Sequence, residues 1–152
     1  MRDLRWIEVL FVSALPFSEL RGGIPLALYL GFDPISAYVL SVIGNFLPIP
    51  FLLVFLDLIE RLVIKTPISS IYAKVVERTE RKKHIVEKYG YFGLIAFVAI
   101  PLPFTGAWTG SLLAFLLRLN RAKSLICILL GIMIAGAIVL TASLGVSLAL
   151  RL

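Results

Sequence analysis

The segment Leu15-Pro16-Phe17-Ser18-Glu19-Leu20-Arg21-Gly22-Gly23-Ile24-Pro25 sets a carboxylate, a guanidinium, two glycines and two prolines into an otherwise apolar run. In oil such a break is expensive, since a charge at a helix centre costs about 2.5–3.5 kcal/mol on insertion scales. Unpaired backbone groups add to that cost. The break then recurs. Leu102-Pro103-Phe104-Thr105-Gly106-Ala107-Trp108-Thr109-Gly110 repeats Leu-Pro-Phe-(Ser/Thr)-four residues-Gly, and the offset is 87 positions both from Leu15 to Leu102 and from Gly23 to Gly110. Two polar turns placed inside a membrane meet these constraints.

The apolar background makes the breaks informative. Mean hydropathy is +1.00, and 60% of residues are hydrophobic against 16% charged, where soluble domains carry about 25% charged residues. An integral membrane protein follows. With 152 residues the chain holds only a few spans of about 20 residues, so a homodimer is expected to shield the polar turns. The net charge of +6 lies beside apolar segments, not interleaved with stacking aromatics, which selects anionic lipid headgroups over nucleic acid as the partner.

Enzymatic chemistry finds no residues to carry it. Cys127 is the single cysteine, in the uncharged stretch Ser124–Leu150, so no intrachain disulfide or thiolate metal site can form. His84, the single histidine, stands in a Lys/Arg-rich stretch and reads as a solvated surface residue. With no Ser/His/Asp set and no metal-ligand cluster, neither an enzyme nor a cofactor is expected. Arg2 and Arg5 ahead of an apolar stretch mimic a signal peptide, but Glu8 interrupts it and no Ala-x-Ala-like cleavage site follows. The segment is expected to stay attached.

Leu4–Leu15 predicts a helix of roughly 12 residues rising about 18 Å, short of a hydrocarbon core of about 30 Å. Gly22, Gly23 and Pro25 predict a restart, with proline in the first turn, and a second arm to Gly31. Two short arms joined by a polar turn make a re-entrant hairpin. Asp33 and Pro34 then read as N-cap and first residue of a crossing helix over Ile35–Leu56, kinked near Pro48, in which Asn45 needs a partner across a helix interface.

From 59 to 90 the character changes. Ile68, Ile71, Tyr72, Val75, Val76 and Thr79 keep helical spacing, with Lys74, Glu77, Arg78, Arg81 and Lys82 on much of the opposite face. This reads as an amphipathic helix lying on headgroups or packed on the protein's own surface. Tyr91–Pro101 descends again, Leu102–Gly110 turns, and Ser111–Leu119 returns. Asn120 repeats the N-cap of Asp33 at the same offset. The last crossing runs over Ser124–Leu150, where Gly131, the counterpart of Gly44, and Ala135 offer a small-residue contact strip.

The expected fold is therefore an all-α integral membrane domain: repeat 1 over 1–58, a basic amphipathic linker over 59–90, repeat 2 over 91–152. A hairpin returns to its starting side and a single span crosses, so the copies enter from opposite faces as inverted repeats. The linker side carries Arg61, Lys65, Lys74, Arg78, Arg81, Lys82, Lys83, Lys88, Arg118, Arg121 and Lys123, against Arg2, Arg5 and Arg151 opposite. By the positive-inside rule the linker is cytoplasmic and the termini outside, in a multi-pass cell-membrane protein. A rival reading makes Leu4–Gly31 and Tyr91–Leu117 unbroken spans.

Pro16-Phe17-Ser18-Glu19 resembles the Pro-x-Gly-Glu turn of the DedA/VTT (SNARE-associated) membrane superfamily, and Ile100-Pro101 resembles the Ile-Pro of its second hairpin. With Glu-Leu-Arg-Gly-Gly-Ile-Pro at 19–25, the whole chain is most similar to the branch described as small multidrug export proteins. The resemblance implies two re-entrant hairpins in inverted repeats. For the better-known relatives it implies ion-coupled transport or scrambling of anionic lipids such as polyprenyl phosphates. The chain departs from that pattern where DedA relatives carry arginines around the second hairpin. Here Phe97-Val98-Ala99 precede an uncharged turn, and Arg21 is the candidate for the missing cation.

Should the turns meet, the second arm of each aims a helix N-terminus at one spot. Gly22 and Gly23 admit close backbone approach, Thr105, Thr109 and Ser111 offer hydroxyls, and Arg21 adds charge, which together suit a phosphate or carboxylate. Glu19 either neutralises Arg21, or carries a proton traded against cargo, or forms a purely structural ion pair. Trp108 reads as a packing anchor or a ligand. The leading expectation is a flippase-like transporter of an anionic, polyprenyl-phosphate-like lipid, with Glu19 as proton carrier. A proton-coupled exporter of small hydrophobic cations ranks second, because Arg21 and two helix N-termini oppose a cation. A non-transporting scaffold is the third reading.

Overall fold

The structure, a computed structural model, describes residues 4–63, 73, 77, 83–102 and 105–149, without the side chains of residues 61, 63 and 83–88. All regular structure among the described residues is helical: α1 (Arg5–Ala14), α2 (Glu19–Tyr29), α3 (Pro34–Phe46), α4 (Ile49–Val63), α5 (Lys83–Ala99), α6 (Ala107–Leu116) and α7 (Arg121–Ala149).

Leu15, the residue before a proline, leaves the helical region (φ −71°, ψ 140°) and ends α1. Four residues later α2 begins at Glu19, earlier than the glycines and proline imply. Pro25 therefore lies in the helix interior, not in its first turn, and lacks the N–H that the Arg21 carbonyl would accept. The second hairpin shows the same shift: α6 starts at Ala107, so Ala107–Gly110 are helical and the turn ends before them.

Both second arms end in the same bonded motif. Gly31 (φ +88°) donates to Leu28 O at 3.1 Å and Phe32 donates to Ala27 O at 3.0 Å; Arg118 (φ +51°) donates to Phe115 O and Leu119 to Ala114 O, both at 3.0 Å. Asp33 Oδ2 then accepts the Ser36 N–H at 3.0 Å and Asn120 Oδ1 the Lys123 N–H at 3.3 Å. Every residue in the second set stands 87 positions after its counterpart in the first. The first arms differ: α1 ends at Ala14 and α5 at Ala99, an offset of 85. The packing confirms that register. A Cβ on Gly44 would meet Leu10 O at 2.7 Å and Ser13 Cβ at 2.9 Å, while one on Gly131 would meet Val98 Cβ at 2.6 Å and Ile95 O at 3.1 Å. Ile100-Pro101 are thus two additional residues in the second turn.

Helices α1, α2 and α3 pack together, as do α5, α6 and α7; α2 and α3 against α7, and α4 against α6, join the halves. A core shared by the halves results, in which Leu20, Ile24, Ile49 and Leu53 meet Leu94, Val98, Ile128 and Ile132, beside a smaller cluster of Val9, Ala27 and Ala37 in the first half. Pro34–Glu60 and Arg121–Ala149 are long and apolar enough to cross a membrane, the former interrupted at Leu47-Pro48 as the prolines imply. The arms α1, α2 and α6, of 10 or 11 residues, rise only about 15–17 Å. The unbroken spans of the rival reading do not form, since α1 ends at Ala14 and α5 at Ala99 and the two arms of each hairpin pack on each other. Phe11, Phe51, Phe92 and Ile126 stand exposed on the outside, the surface that lipid requires. Of the amphipathic linker expected over 59–90, residues 59–63 belong to α4 and 83–90 to α5, and the part between lies outside the described residues apart from Ala73 and Glu77, as do Pro103 and Phe104.

Candidate functional site

The two turns meet. Glu19, the first residue of α2, is 5% exposed and adopts φ +46°, a region that a non-glycine residue occupies only where its surroundings compel it. Its Oε1 accepts the Trp108 N–H at 3.5 Å, with the Ala107 N–H beside it. Gly106, the N-cap of α6, has no side chain to offer, so a carboxylate from the first hairpin caps a helix of the second. Gly106 is required twice over. Its φ is +151°, and a Cβ there would lie 2.6 Å from Glu19 Cδ. Glu19 and Gly106 are themselves 87 positions apart, so the halves touch at equivalent points.

Arg21 Nη2 lies 3.8 Å from Glu19 Oε2 and donates to Thr105 O at 3.3 Å. Trp108 Nε1 donates to Ala14 O at 3.2 Å. Arg21 and Trp108 are another pair at offset 87, and each reaches from its own arm to a main-chain carbonyl beside the opposite turn. Thr105 Oγ1 accepts the Leu102 N–H at 3.1 Å and lies 2.6 Å from Ile100 O, so this hydroxyl folds its own turn. Thr109 Oγ1 donates to Gly106 O at 3.4 Å.

A cavity of about 610 Å³ opens between the turns, lined by Pro16, Phe17, Ser18, Glu19, Arg21, Gly22, Thr105, Trp108 and Thr109. Behind Glu19 lies a far smaller one of about 10 Å³, whose lining includes Arg21, Asn45, Gly106 and Val139. Glu19 stands between the two. Of the residues singled out from sequence, Glu19, Arg21, Gly22, Thr105, Trp108 and Thr109 share the vestibule. Gly23 and Ser111 do not line it: Gly23 faces Ser13 and Ser41, and the buried Ser111 hydroxyl donates to Ala107 O at 2.7 Å within its own helix. The Glu19 carboxyl at the α6 N-terminus also bears on the electrostatics, since it sets an acidic group of the protein's own against Arg21.

Three features escaped the sequence reading. Gly106 is legible only once the repeat aligns it with Glu19. Asn45 is 1% exposed, and its Oδ1 has no hydrogen-bond partner, contrary to the partner expected across the interface. Asp57 pairs with Arg121, and Glu60 with Arg118 at 2.6 Å, tying α4 to the second half around a cavity of about 320 Å³. At offset 87 Asp57 and Glu60 map onto Leu144 and Ser147, which with Leu28 and Tyr29 line a groove without charge.

Short broken helices and two helices long and apolar enough to cross a membrane fit a small membrane protein whose described regular structure is helical. Residues 19–138 match the family described as "Putative small multi-drug export protein", and the chain belongs to that family. No curated protein and no solved structure matches the chain.

Proposed function

We propose that the chain exports small amphipathic organic cations, with the vestibule between the turns as the substrate site and Glu19 as the group exchanged between cargo, proton and the α6 N-terminus. The observation that carries this is the Glu19 carboxylate on the Trp108 N–H. It offsets part of the positive charge of Arg21 and the α6 N-terminus that would otherwise repel a cation, and so weakens the objection raised by the sequence. The vestibule, about 610 Å³ with Phe17 and Trp108 beside hydroxyls, lies in the size range of small-molecule sites, about 300–1,000 Å³. The family description points the same way.

A second reading, transport of an anionic lipid headgroup, rests on Arg21 and the Trp108 N–H. A phosphate displacing Glu19 would take both donors. The wider DedA/VTT relation belongs with this reading. In either case the hairpins are re-entrant inverted repeats about an axis through the Glu19–Gly106 contact, in a multi-pass protein with a cytoplasmic linker on anionic headgroups and the termini outside. Equal offsets of the caps and of the Schellman bonds support that symmetry. Two copies of the chain shield the vestibules from lipid, and no covalent chemistry is involved.

The test is proteoliposome transport of ethidium and, separately, of a labelled polyprenyl phosphate under an imposed pH gradient. Ethidium should move, Glu19→Gln should abolish the movement, and Arg21→Ala should leave it. Movement of the lipid alone, lost in Arg21→Ala, would establish the second reading. Movement of neither substrate by folded protein would leave the scaffold.

A further inference from the structure

The first half contains a polar niche that the second half fills with hydrocarbon. Ser13 Oγ, Ser41 Oγ and Asn45 Oδ1 have no hydrogen-bond partner, and the three residues are 0%, 0% and 1% exposed. Ser13 of α1 and Ser41 of α3 meet at Gly23 of α2. A Cβ on Gly23 would lie 3.0 Å from Ser41 Oγ and closer still to Ser13 Oγ, so the Ser13 hydroxyl occupies the space a side chain would take and stands beside that of Ser41. Asn45 follows Ser41 by one turn on the same face of α3 and opens onto the small cavity behind Glu19.

The register defined by the glycine contacts gives each of these residues a counterpart. Gly110 faces Val98 as Gly23 faces Ser13, and Ser41 and Asn45 correspond to Ile128 and Ile132 at offset 87. Val98, Ile128 and Ile132 are 2%, 0% and 0% exposed and belong to the core. This fold therefore packs the niche well with three branched apolar side chains. The first half instead buries three oxygens without partners, which destabilises the protein unless a ligand satisfies them.

We propose that the niche binds a sodium-sized monovalent cation through Ser13 Oγ, Ser41 Oγ and Asn45 Oδ1. Oxygen donors suit a hard cation. The donors are neutral and, among the described residues, the carboxylate that shares the Asn45 cavity, Glu19, already faces Arg21, so the charge balance fits one positive charge and not two. Ser13 lies in the last turn of α1, where the negative end of the helix dipole favours a cation. Because Asn45 and Glu19 share a cavity, occupancy of the niche is positioned to act on the carboxylate at the hairpin contact. Binding itself is independent of the cargo proposed above; only its role as coupling ion rests on that reading.

The experiment is thermal unfolding and equilibrium ²²Na⁺ binding of the purified full chain in detergent, with NaCl replaced by choline chloride at constant ionic strength. Sodium should raise the melting temperature saturably and bind at one site per chain. Ser41→Ala should weaken binding by about tenfold or more, the scale on which altered ligand surroundings act, and Asn45→Asp should tighten it. The triple variant Ser13→Val, Ser41→Ile, Asn45→Ile should melt higher than wild type in choline chloride and lose the sodium response. Equal melting in the two salts with no retained ²²Na⁺ would overturn the proposal, leaving water as the occupant. So would a sodium response that survives in the triple variant. If that variant does not fold, the opposite shifts of Ser41→Ala and Asn45→Asp decide. Sodium binding without ethidium transport would remove the exporter reading and leave the site in place.

Discussion

Gly106→Ala probes the contact between the hairpins from its least forgiving side. Gly106 holds φ +151° and ψ −167°, a region costing an L-residue about 1–3 kcal/mol. The new Cβ would lie 2.6 Å from Glu19 Cδ, so the carboxylate must leave the Trp108 N–H, and a lost cap costs about 0.5–2 kcal/mol. The expected loss is about 2–5 kcal/mol, which lowers the melting temperature by on the order of 10 °C for a chain of this size. The assay is a thermal melt of Gly106→Ala, Glu19→Ala and the double variant in one detergent. Once Glu19 is shortened the clash is gone, so the double variant should lose less than the sum of the singles by about 1 kcal/mol or more. Additivity within about 0.5 kcal/mol would show that Glu19 does not sit on Gly106, and would refute the cross-hairpin cap.

Two further outcomes follow from the packing and the caps. Gly131→Ala should destabilise by about 1–3 kcal/mol, because its Cβ would press on Val98 at 2.6 Å, whereas Gly145→Ala, with nothing within 4 Å, should stabilise by about 0.5–1 kcal/mol through helix propensity; paired melts check both signs. The Ser36 N–H, then the Ser36 hydroxyl, hold the Asp33 carboxyl below its ordinary range. Its capping contribution is therefore full above the unfolded carboxyl value, about 3.9, and is lost as pH falls through the lower folded one. Asp33→Asn should flatten that acid limb in a pH series of melts.

The breaks and caps were legible because they rest on local chemistry: Leu15 before Pro16, and the side chains of Asp33 and Asn120, act within a few residues of themselves. The helix restarts were misplaced for a different reason. The glycines at 22, 23 and 110 looked like punctuation, but within these helices they serve close approach, Gly23 to Ser13 and Ser41, and Gly110 to Val98. The repeat was visible at offset 87, yet the two extra residues Ile100-Pro101 were hidden, because Leu-Pro-Phe aligns without a gap and only packing shows that Ser13 corresponds to Val98. The site was half legible. That Glu19, Arg21, Thr105 and Trp108 share one place follows from pairing the turns. That the carboxylate fills the N-terminus of α6 depends on the left-handed backbone of Glu19 and the bare Gly106, a long-range fit that no local pattern encodes. Asn45 was expected to be satisfied by a neighbour, and its open oxygen is what directs attention to the niche.

Everything functional rests on the two turns lying against each other within one subunit. The most direct measurement is thiol cross-linking in native membranes of Ser18→Cys with Thr109→Cys, residues that line the same vestibule, in a Cys127→Ser background with a short bifunctional reagent. An intramolecular cross-link on the monomer band is expected, blocked by ethidium in the vestibule. Single labelling of each cysteine without any cross-link between them would contradict the meeting of the turns.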